Sequence, residues 1–211
     1  MNGNGFRPPV TLRGRYIELV PLSHEHAPGL AHAGRDPDVW KYLRVGPGHP
    51  PDLDEMHRFI DQLLGFQSEG NVLAEVITLL PERVALGIIR FLDIDRPNHA
   101  VELGTWIDSA YWRSPVNTDA KLAMLAYAFE VEKVHRVQFK TDGLNTRSQR
   151  ALERLGAIRE GELRDAHLMP SGRFRTSVYY SILADEWPSM KRSLEQKLSV
   201  PWEGRSPARG P

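Results

Sequence analysis

The stretch Tyr111-Trp-Arg-Ser-Pro-Val-Asn-Thr-Asp-Ala-Lys121 joins a strand pattern to a helix pattern. Upstream, Ala100-Val-Glu-Leu-Gly-Thr-Trp-Ile-Asp108 has strand chemistry. Downstream, Leu122, Leu125, Ala126 and Phe129 recur at helical spacing, so the apolar period changes from about two to about 3.6. Ser114 is expected to cap this helix. Pro115 then fits the first helical position, where a missing N–H is no loss. A helix N-terminus just after a strand gathers free amides and the positive end of the dipole at one point, which prepares an anion site. An ordinary strand-to-helix turn has the same local sequence, and the rest of the chain decides between the two.

The 211 residues suffice for one well-buried domain, expected over residues 11–199, with a lead-in at 1–10 and a loose tail at 200–211. Lys plus Arg equals Asp plus Glu at 27 each, so no global field draws the chain to nucleic acid or to an anionic membrane. The absence of cysteine excludes disulfides, thiolate metal sites and a cysteine nucleophile. No secretory signal and no run of roughly 18 apolar residues is present, so a cytoplasmic location without a membrane span is expected. His24, His26 and His32 share a helix pattern, but no carboxylate–histidine set at fixed spacing joins them, and no metal is expected.

In order, Leu12–Pro21 has the alternation of a strand, and Ser23 opens a helix over about 24–34. A short helix begins at Asp36 and carries Trp40, and Gly46-Pro-Gly-His-Pro-Pro51 is a loop suited either to a substrate entrance or to a plain linker. Asp54–Gln67 is an amphipathic helix burying Met56, Phe59, Ile60, Leu63 and Leu64. Three strand patterns over 72–80, 84–93 and 100–108 follow as an antiparallel meander. After the helix over 117–132 come a strand at Val134–Thr141 and a helix at Thr146–Leu155 closed by Gly156. Strands at Ala157–Leu163 and Arg173–Leu183 and a helix from Asp185 to about Leu198 complete an α+β pattern.

Several local phrases, in this order, resemble the GNAT superfamily of acyl-CoA-dependent N-acyltransferases. They are Val101-Glu-Leu-Gly-Thr-Trp-Ile-Asp108, Tyr111-Trp112, Asn117-Thr-Asp-Ala-Lys121, Tyr127-Ala-Phe-Glu130, His135-Arg-Val, Asn145-Thr-Arg-Ser148, Arg150-Ala-Leu-Glu-Arg-Leu-Gly-Ala157 and Tyr180-Ser-Ile-Leu183. The similarity runs from about Leu12 to Pro188 and is greatest to the RimJ/RimL-like branch, named for ribosomal-protein N-terminal acetyltransferases. The resemblance implies a mixed, mostly antiparallel seven-stranded sheet flanked by helices, with its fourth and fifth strands parallel and splayed. It also implies acetyl-CoA as acyl donor, direct attack in a ternary complex, and a primary amine as acceptor, either a protein N-terminus or a small amine. A homodimer is compatible with it.

The family's pyrophosphate loop has the form Gln/Arg-x-x-Gly-x-Gly/Ala. Laid on Trp112-Arg-Ser-Pro-Val-Asn117, it departs at Trp112, Pro115 and Asn117, and Pro115 has no N–H to give a phosphate. One lost charge-assisted hydrogen bond is worth about 1.5–3 kcal/mol. Val116, Asn117 and Thr118 keep their amides, Ser114 and Thr118 their hydroxyls, and Arg113 and Lys121 supply cations, so a modified cofactor site is expected. The departures also favour a rival from another class, a non-catalytic module that binds acyl-CoA or a partner.

By the same resemblance, backbone at Trp106, Ile107 and Asp108 would hold the acyl carbonyl and the pantetheine arm. Gly104 suits a bulge there. Glu102, a carboxylate on an apolar strand, is the first candidate for general base, with a structural hydrogen-bonding role as the alternative. His167 is the second, with a surface histidine as its alternative. Asn145 and Ser148 would touch the cofactor arm and sulfur, Ser148 donating to the departing thiolate, although Asn145 alone is a sufficient N-cap. Trp40 and Tyr180 are taken as acceptor contacts. Tyr179 and Tyr180 alternate, so one of the two faces the core.

Overall fold

The structure, a computed structural model, describes residues 10–203. Eight strands make one mixed sheet in the order β1-β2-β3-β4-β5-β6-β8-β7. They are β1 Leu12–Arg13, β2 Ile17–Pro21, β3 Leu73–Leu79, β4 Val84–Asp95, β5 Ala100–Ile107, β6 Arg136–Asp142, β7 Ile158–Leu168 and β8 Phe174–Leu183. The helices are α1 Ala27–Ala33, α2 Pro37–Trp40, α3 Leu53–Ser68, α4 Val116–Ala126, α5 Thr146–Leu155 and α6 Trp187–Ser199. α4 runs on into a π-helical turn over Tyr127–Val131.

The expected first strand, Leu12–Pro21, is two strands, which makes eight where seven were expected. The break has a cause in α4. Asp119 is buried, and its carboxylate accepts the amides of Arg15 (3.1 Å), Tyr16 (2.7 Å) and Ile17 (3.3 Å). The chain is pulled out of its ladder between Gly14 and Ile17 and closes a turn there, with the Gly14 amide donating to Ile17 O. A Cβ on Gly14 would lie 2.5 Å from the Asp119 carboxylate, so only glycine fits beside it.

Period-two alternation gives the sheet two apolar faces. On one, Ile77, Phe91, Val137 and Tyr180 pack against Met124, Leu125, Leu152, Leu155 and Leu194 of α4, α5 and α6. On the other, Val76, Ile88 and Trp106 pack against Leu30, Trp40, Phe59, Ile60 and Leu63 of α1, α2 and α3. Helix α3 begins at Asp52, whose side chain accepts from Glu55 N while Glu55 accepts from Asp52 N, a reciprocal cap that fixes its start.

The parallel pairing of β5 with β6 stops after Ala100↔Arg136, Val101↔Val137 and Glu102↔Gln138. Beyond Glu102 both strands continue, and β6 stays paired to β8 while β5 stays paired to β4, so a wedge opens between them. Gly104 is not bulged: it stands opposite Arg90 in regular register, and the irregularity in this pair lies at Leu92/Asp95. The glycine leaves room for Leu92 and for the Arg90 side chain, each within 4 Å of where a Cβ would sit.

Of the expected lead-in and tail, Val10 and residues 200–203 are described and the remainder lies outside the described residues. The Trp202 ring meets Tyr16 edge-on at 5.4 Å between centroids, and its amide donates to the Tyr16 hydroxyl at 3.2 Å.

Candidate active site

Asp108 N donates to Leu86 O across to β4, and successive residues of a strand point their amides to opposite sides. The amides of Thr105 and Ile107 therefore face the wedge, whereas that of Trp106 faces β4. Asp108 itself turns away from the wedge. Its buried carboxylate accepts from Ala110 N (2.9 Å), capping a single helical turn, and lies 3.7 Å from Arg35.

A cavity of about 520 Å³ adjoins the unpaired end of β5. Its wall takes Thr105, Trp106 and Ile107 from β5, Arg113, Ser114, Asn117, Thr118 and Lys121 from the start of α4, and Asn145, Arg147 and Ser148 from the start of α5. Two helix N-termini thus share one wall. Asn145 caps α5 by accepting from Ser148 N at 3.1 Å. α4 begins at Val116, one residue after the first helical position expected at Pro115 and one before the expected range over 117–132. Pro115 precedes it, and the Ser114 hydroxyl donates to Tyr111 O (2.7 Å) while accepting from Val116 N (3.3 Å). Asn117 and Thr118, as the second and third residues of α4, have amides with no intrahelical acceptor. Val116 has its side chain in the core and its amide engaged with Ser114, and it is not part of the wall.

The charged residues of the wall are five cations, Arg113, Lys121, Arg147, Arg154 and Lys197, against one carboxylate, Glu153. Arg147, which sequence reasoning passed over, has its guanidinium 3.2 Å from the centroid of the Trp112 ring. Trp112 therefore lines the cavity and carries a cation on its face rather than plugging the loop. The position of Arg147 in the first turn of α5, between two residues singled out on the sequence, was the available signal. Arg154 and Lys197 come from the far end of α5 and from α6, and only the tertiary fold brings them here. Lys121 is buried, donates to Asn117 Oδ1 at 3.2 Å, and has its pKa pushed down to about 8 by that burial. Arg113 holds a left-handed backbone, φ 68°, where the chain turns into α4. Thr105 Oγ1 and Trp106 Nε1, on this wall, are buried with no hydrogen-bond partner among the described residues.

Glu102 stands at the apex of the wedge, 7% exposed, in the last parallel pair. Burial raises its pKa, opposed by Lys140, whose Nζ is 2.7 Å from Oε2. Gln138 also donates to Oε2, at 3.4 Å. Oε1 receives no such bond among the described residues. His167 lies in strand β7, opposite Arg175, and burial followed by repulsion from Arg44 and Arg175 lowers its pKa. Neither Glu102 nor His167 is on the cavity wall.

Two expected acceptor contacts are core side chains instead. Trp40 is 1% exposed, donates to Gly34 O at 2.7 Å, and packs on Trp106. Tyr180 is wholly buried, with its hydroxyl 3.2 Å from Glu153 Oε1. Their apolar bulk wins over their polar tips because each finds a partner for its N–H or O–H inside. Tyr179 is the residue of the pair on the open face, beside Lys140.

The family described as the acetyltransferase (GNAT) domain matches residues 17–158. The chain belongs to the GNAT family of N-acetyltransferases. A candidate acetyltransferase from T. thermophilus has a solved structure of the same fold, with a TM-score of 0.83 and 38% identity, covering 92% of this chain and 99% of that one. YdaF of Bacillus subtilis (strain 168), by name a candidate ribosomal N-acetyltransferase, is 33% identical over 113 residues, which are 54% of this chain and 61% of that protein. The structure of RimL, a ribosomal L7/L12 alpha-N-protein acetyltransferase in complex with coenzyme A, shares the fold with a TM-score of 0.73 at 17% identity, covering 84% of this chain and 99% of that one. The acyl donor of this family is acetyl-CoA, and the cation-rich wall and its unpartnered polar atoms suit that polyanion. Among the described residues no helix is long and apolar enough to cross a membrane, and no cluster of three or more His, Asp or Glu is placed to hold a metal.

Proposed function

We propose that the protein transfers an acetyl group from acetyl-CoA to a primary amine, preferentially a protein N-terminus, by direct attack in a ternary complex. The observation that carries this reading is the wedge between β5 and β6. It has a cation-walled cavity on one side and the buried carboxylate of Glu102 at its apex. Bound in the cavity, acetyl-CoA supplies the acetyl group as a thioester whose carbonyl the amine attacks with release of the thiol.

The chain's own groups divide the work. Arg113, Lys121, Arg147, Arg154 and Lys197, with the Asn117 and Thr118 amides, hold the phosphates. The wedge-facing amides of Thr105 and Ile107 polarise the carbonyl oxygen. Glu102 Oε1 takes the proton that the amine loses, and Lys140 holds the other oxygen in place. Ser148, on the wall, donates to the thiolate as it leaves. His167, whose pKa is lowered by burial and then by its cationic neighbours, serves as the second acceptor of protons on the acceptor side. The names of YdaF and RimL support a protein N-terminus as acceptor, and a cytoplasmic location belongs to the same reading.

The test is thiol release from acetyl-CoA across a panel of N-terminal peptides and small amines. Turnover is expected with peptides. Glu102→Gln is expected to lower kcat by about a hundredfold or more, within the range of general-base contributions, with acetyl-CoA affinity kept. Tight acetyl-CoA binding without thiol release from any amine would replace this reading with that of a binding module.

A further inference from the structure

The strand register places a second set of charges on the acceptor side of the wedge. Arg90 pairs with Gly104, Leu92 with Glu102, Glu102 with Gln138, Lys140 with Tyr179, and Arg175 with His167. Paired residues share a face, and residues two apart on a strand share it too. Arg90, Glu102, Lys140, Arg175 and His167 therefore stand on one face, where β6 to β8 lie beyond the cover of α1 and α3.

The anions of this face are already engaged. Lys140 bridges Glu102 (2.7 Å) and Asp93 (3.0 Å), and Arg173 pairs with Asp142. The guanidinium groups of Arg90 and Arg175 form no hydrogen bond or ion pair with any described residue, although Arg90 Nη1 and Arg175 Nε are fully buried; Glu102 lies near enough to favour the charge of both, and Asp142 that of Arg175. Arg175 as a whole is only 7% exposed. Arg44, in the loop after α2, is close enough to repel Arg90, Arg175 and His167. The same loop comes within 4.0 Å of Pro170 in the β7–β8 turn, measured from where a Gly48 Cβ would sit, so loop and hairpin adjoin. A buried guanidinium without an acceptor is costly, and two beside a third cation are costlier still. A carboxylate would answer the unused donors at once.

We infer that the acceptor is a carboxylate-bearing amine whose acid group sits on Arg90 and Arg175 while its amine meets Glu102. This rests on the transferase reading above. Arg90 lies over Gly104, two residues along β5 from Glu102, a step of about 7 Å on a strand. That is within reach of an acidic side chain in the first two positions of a peptide, and of the acid group of a free dicarboxylic amino acid.

The experiment compares kcat/KM at saturating acetyl-CoA for peptides identical except for Asp, Asn or Lys at the second position, with free glutamate as a separate acceptor. The Asp peptide is expected to exceed the Asn peptide by about tenfold or more, the worth of one charge-assisted hydrogen bond, and the Lys peptide to be poorest. Glutamate outrunning every peptide would assign the carboxylate to a small amino acid, and an Asp peptide that outruns both the Asn peptide and glutamate would assign it to a polypeptide; both support the inference. Arg175→Gln is expected to bring the Asp/Asn ratio toward one. Equal rates for Asp, Asn and Lys peptides in the wild-type enzyme, with glutamate inert, overturn the inference while leaving the transferase reading intact. Release of no thiol with any amine overturns that reading and this inference with it.

Discussion

Lys121 shows how far a single residue can be read from sequence. As a cation in the first turns of a helix it was an evident partner for phosphate. That it would be buried, with a pKa of about 8, depends on the packing around α4. The sign of the consequence is fixed. Burial disfavours the ammonium, and a bound polyanion favours it, so above about pH 8 cofactor binding must draw a proton from solvent. Acetyl-CoA affinity is therefore expected to fall between pH 7 and pH 9, approaching tenfold per pH unit at the upper end. Lys121→Met is expected to bind more weakly and to lose this slope. Titration calorimetry at pH 8.5 in two buffers of different ionisation enthalpy measures the proton uptake directly, and zero uptake would refute the assignment. The other cations of the wall divide along similar lines. Arg113 and Lys121 were visible because they lie within the strand-to-helix switch. Arg147 was hidden because its placement depends on Trp112, a residue that looked like a defect in the loop and is instead the surface on which the guanidinium rests.

At the scale of elements, the boundaries follow from contacts distant in sequence. The periodicities of α3, α4 and α5 and the meander of β3 to β5 were legible, because each buries one face and repeats accordingly. The splitting of β1 from β2 was not, since it is imposed by the Asp119 carboxylate more than 100 residues away in sequence. Nor was the role of Gly104, whose missing side chain makes space for Arg90 instead of a bulge. The same carboxylate ties the β1–β2 turn to the helix whose N-terminus faces the cavity. Asp119→Ala would leave three amides without their acceptor. Loss of one charge-assisted hydrogen bond costs about 1.5–3 kcal/mol, so a destabilisation of at least about 2 kcal/mol is expected in urea unfolding. Acetyl-CoA affinity is expected to fall as well, because the start of α4 loses its anchor. Asp119→Asn keeps one acceptor oxygen and should lie between the two. A change below about 0.5 kcal/mol, the size of an ordinary surface substitution, would mean that the turn holds without the carboxylate.

For the molecule as a whole, the cation-walled cavity lies between the starts of α4 and α5, while Arg90, Glu102, Lys140, Arg175 and His167 share one face of the sheet. The resemblance implied the splayed strands, but which side chains fall on each face follows only from register, where one residue's slip exchanges every face. The stability of this arrangement carries its own pH dependence through Glu75 in β3. Glu75 is 1% exposed, its Oε2 has no partner, and burial raises its pKa from 4.5 to about 8, partly offset by a hydrogen bond from the Val10 amide. A folded-state pKa above the unfolded one means that the protonated form favours folding. Its contribution is complete below about pH 4.5 and is lost as pH rises through about 8. At ~1.4 kcal/mol for each pH unit between the two pKa values, the loss across that window is at most about 5 kcal/mol. Relaxation and water entry around the buried ion bring it to on the order of 3 kcal/mol. Glu75→Gln retains the shape and an acceptor for Val10 but cannot ionise. Its unfolding free energy is expected to match that of the wild type within about 1 kcal/mol at pH 5 and to exceed it by about 2–3 kcal/mol at pH 9. Denaturant unfolding of both proteins at pH 5, 7 and 9 makes the comparison without relying on the absolute pH profile, to which every other titrating group contributes equally in the two chains. A constant difference between them across the three pH values would show that Glu75 is ionised in the folded protein throughout.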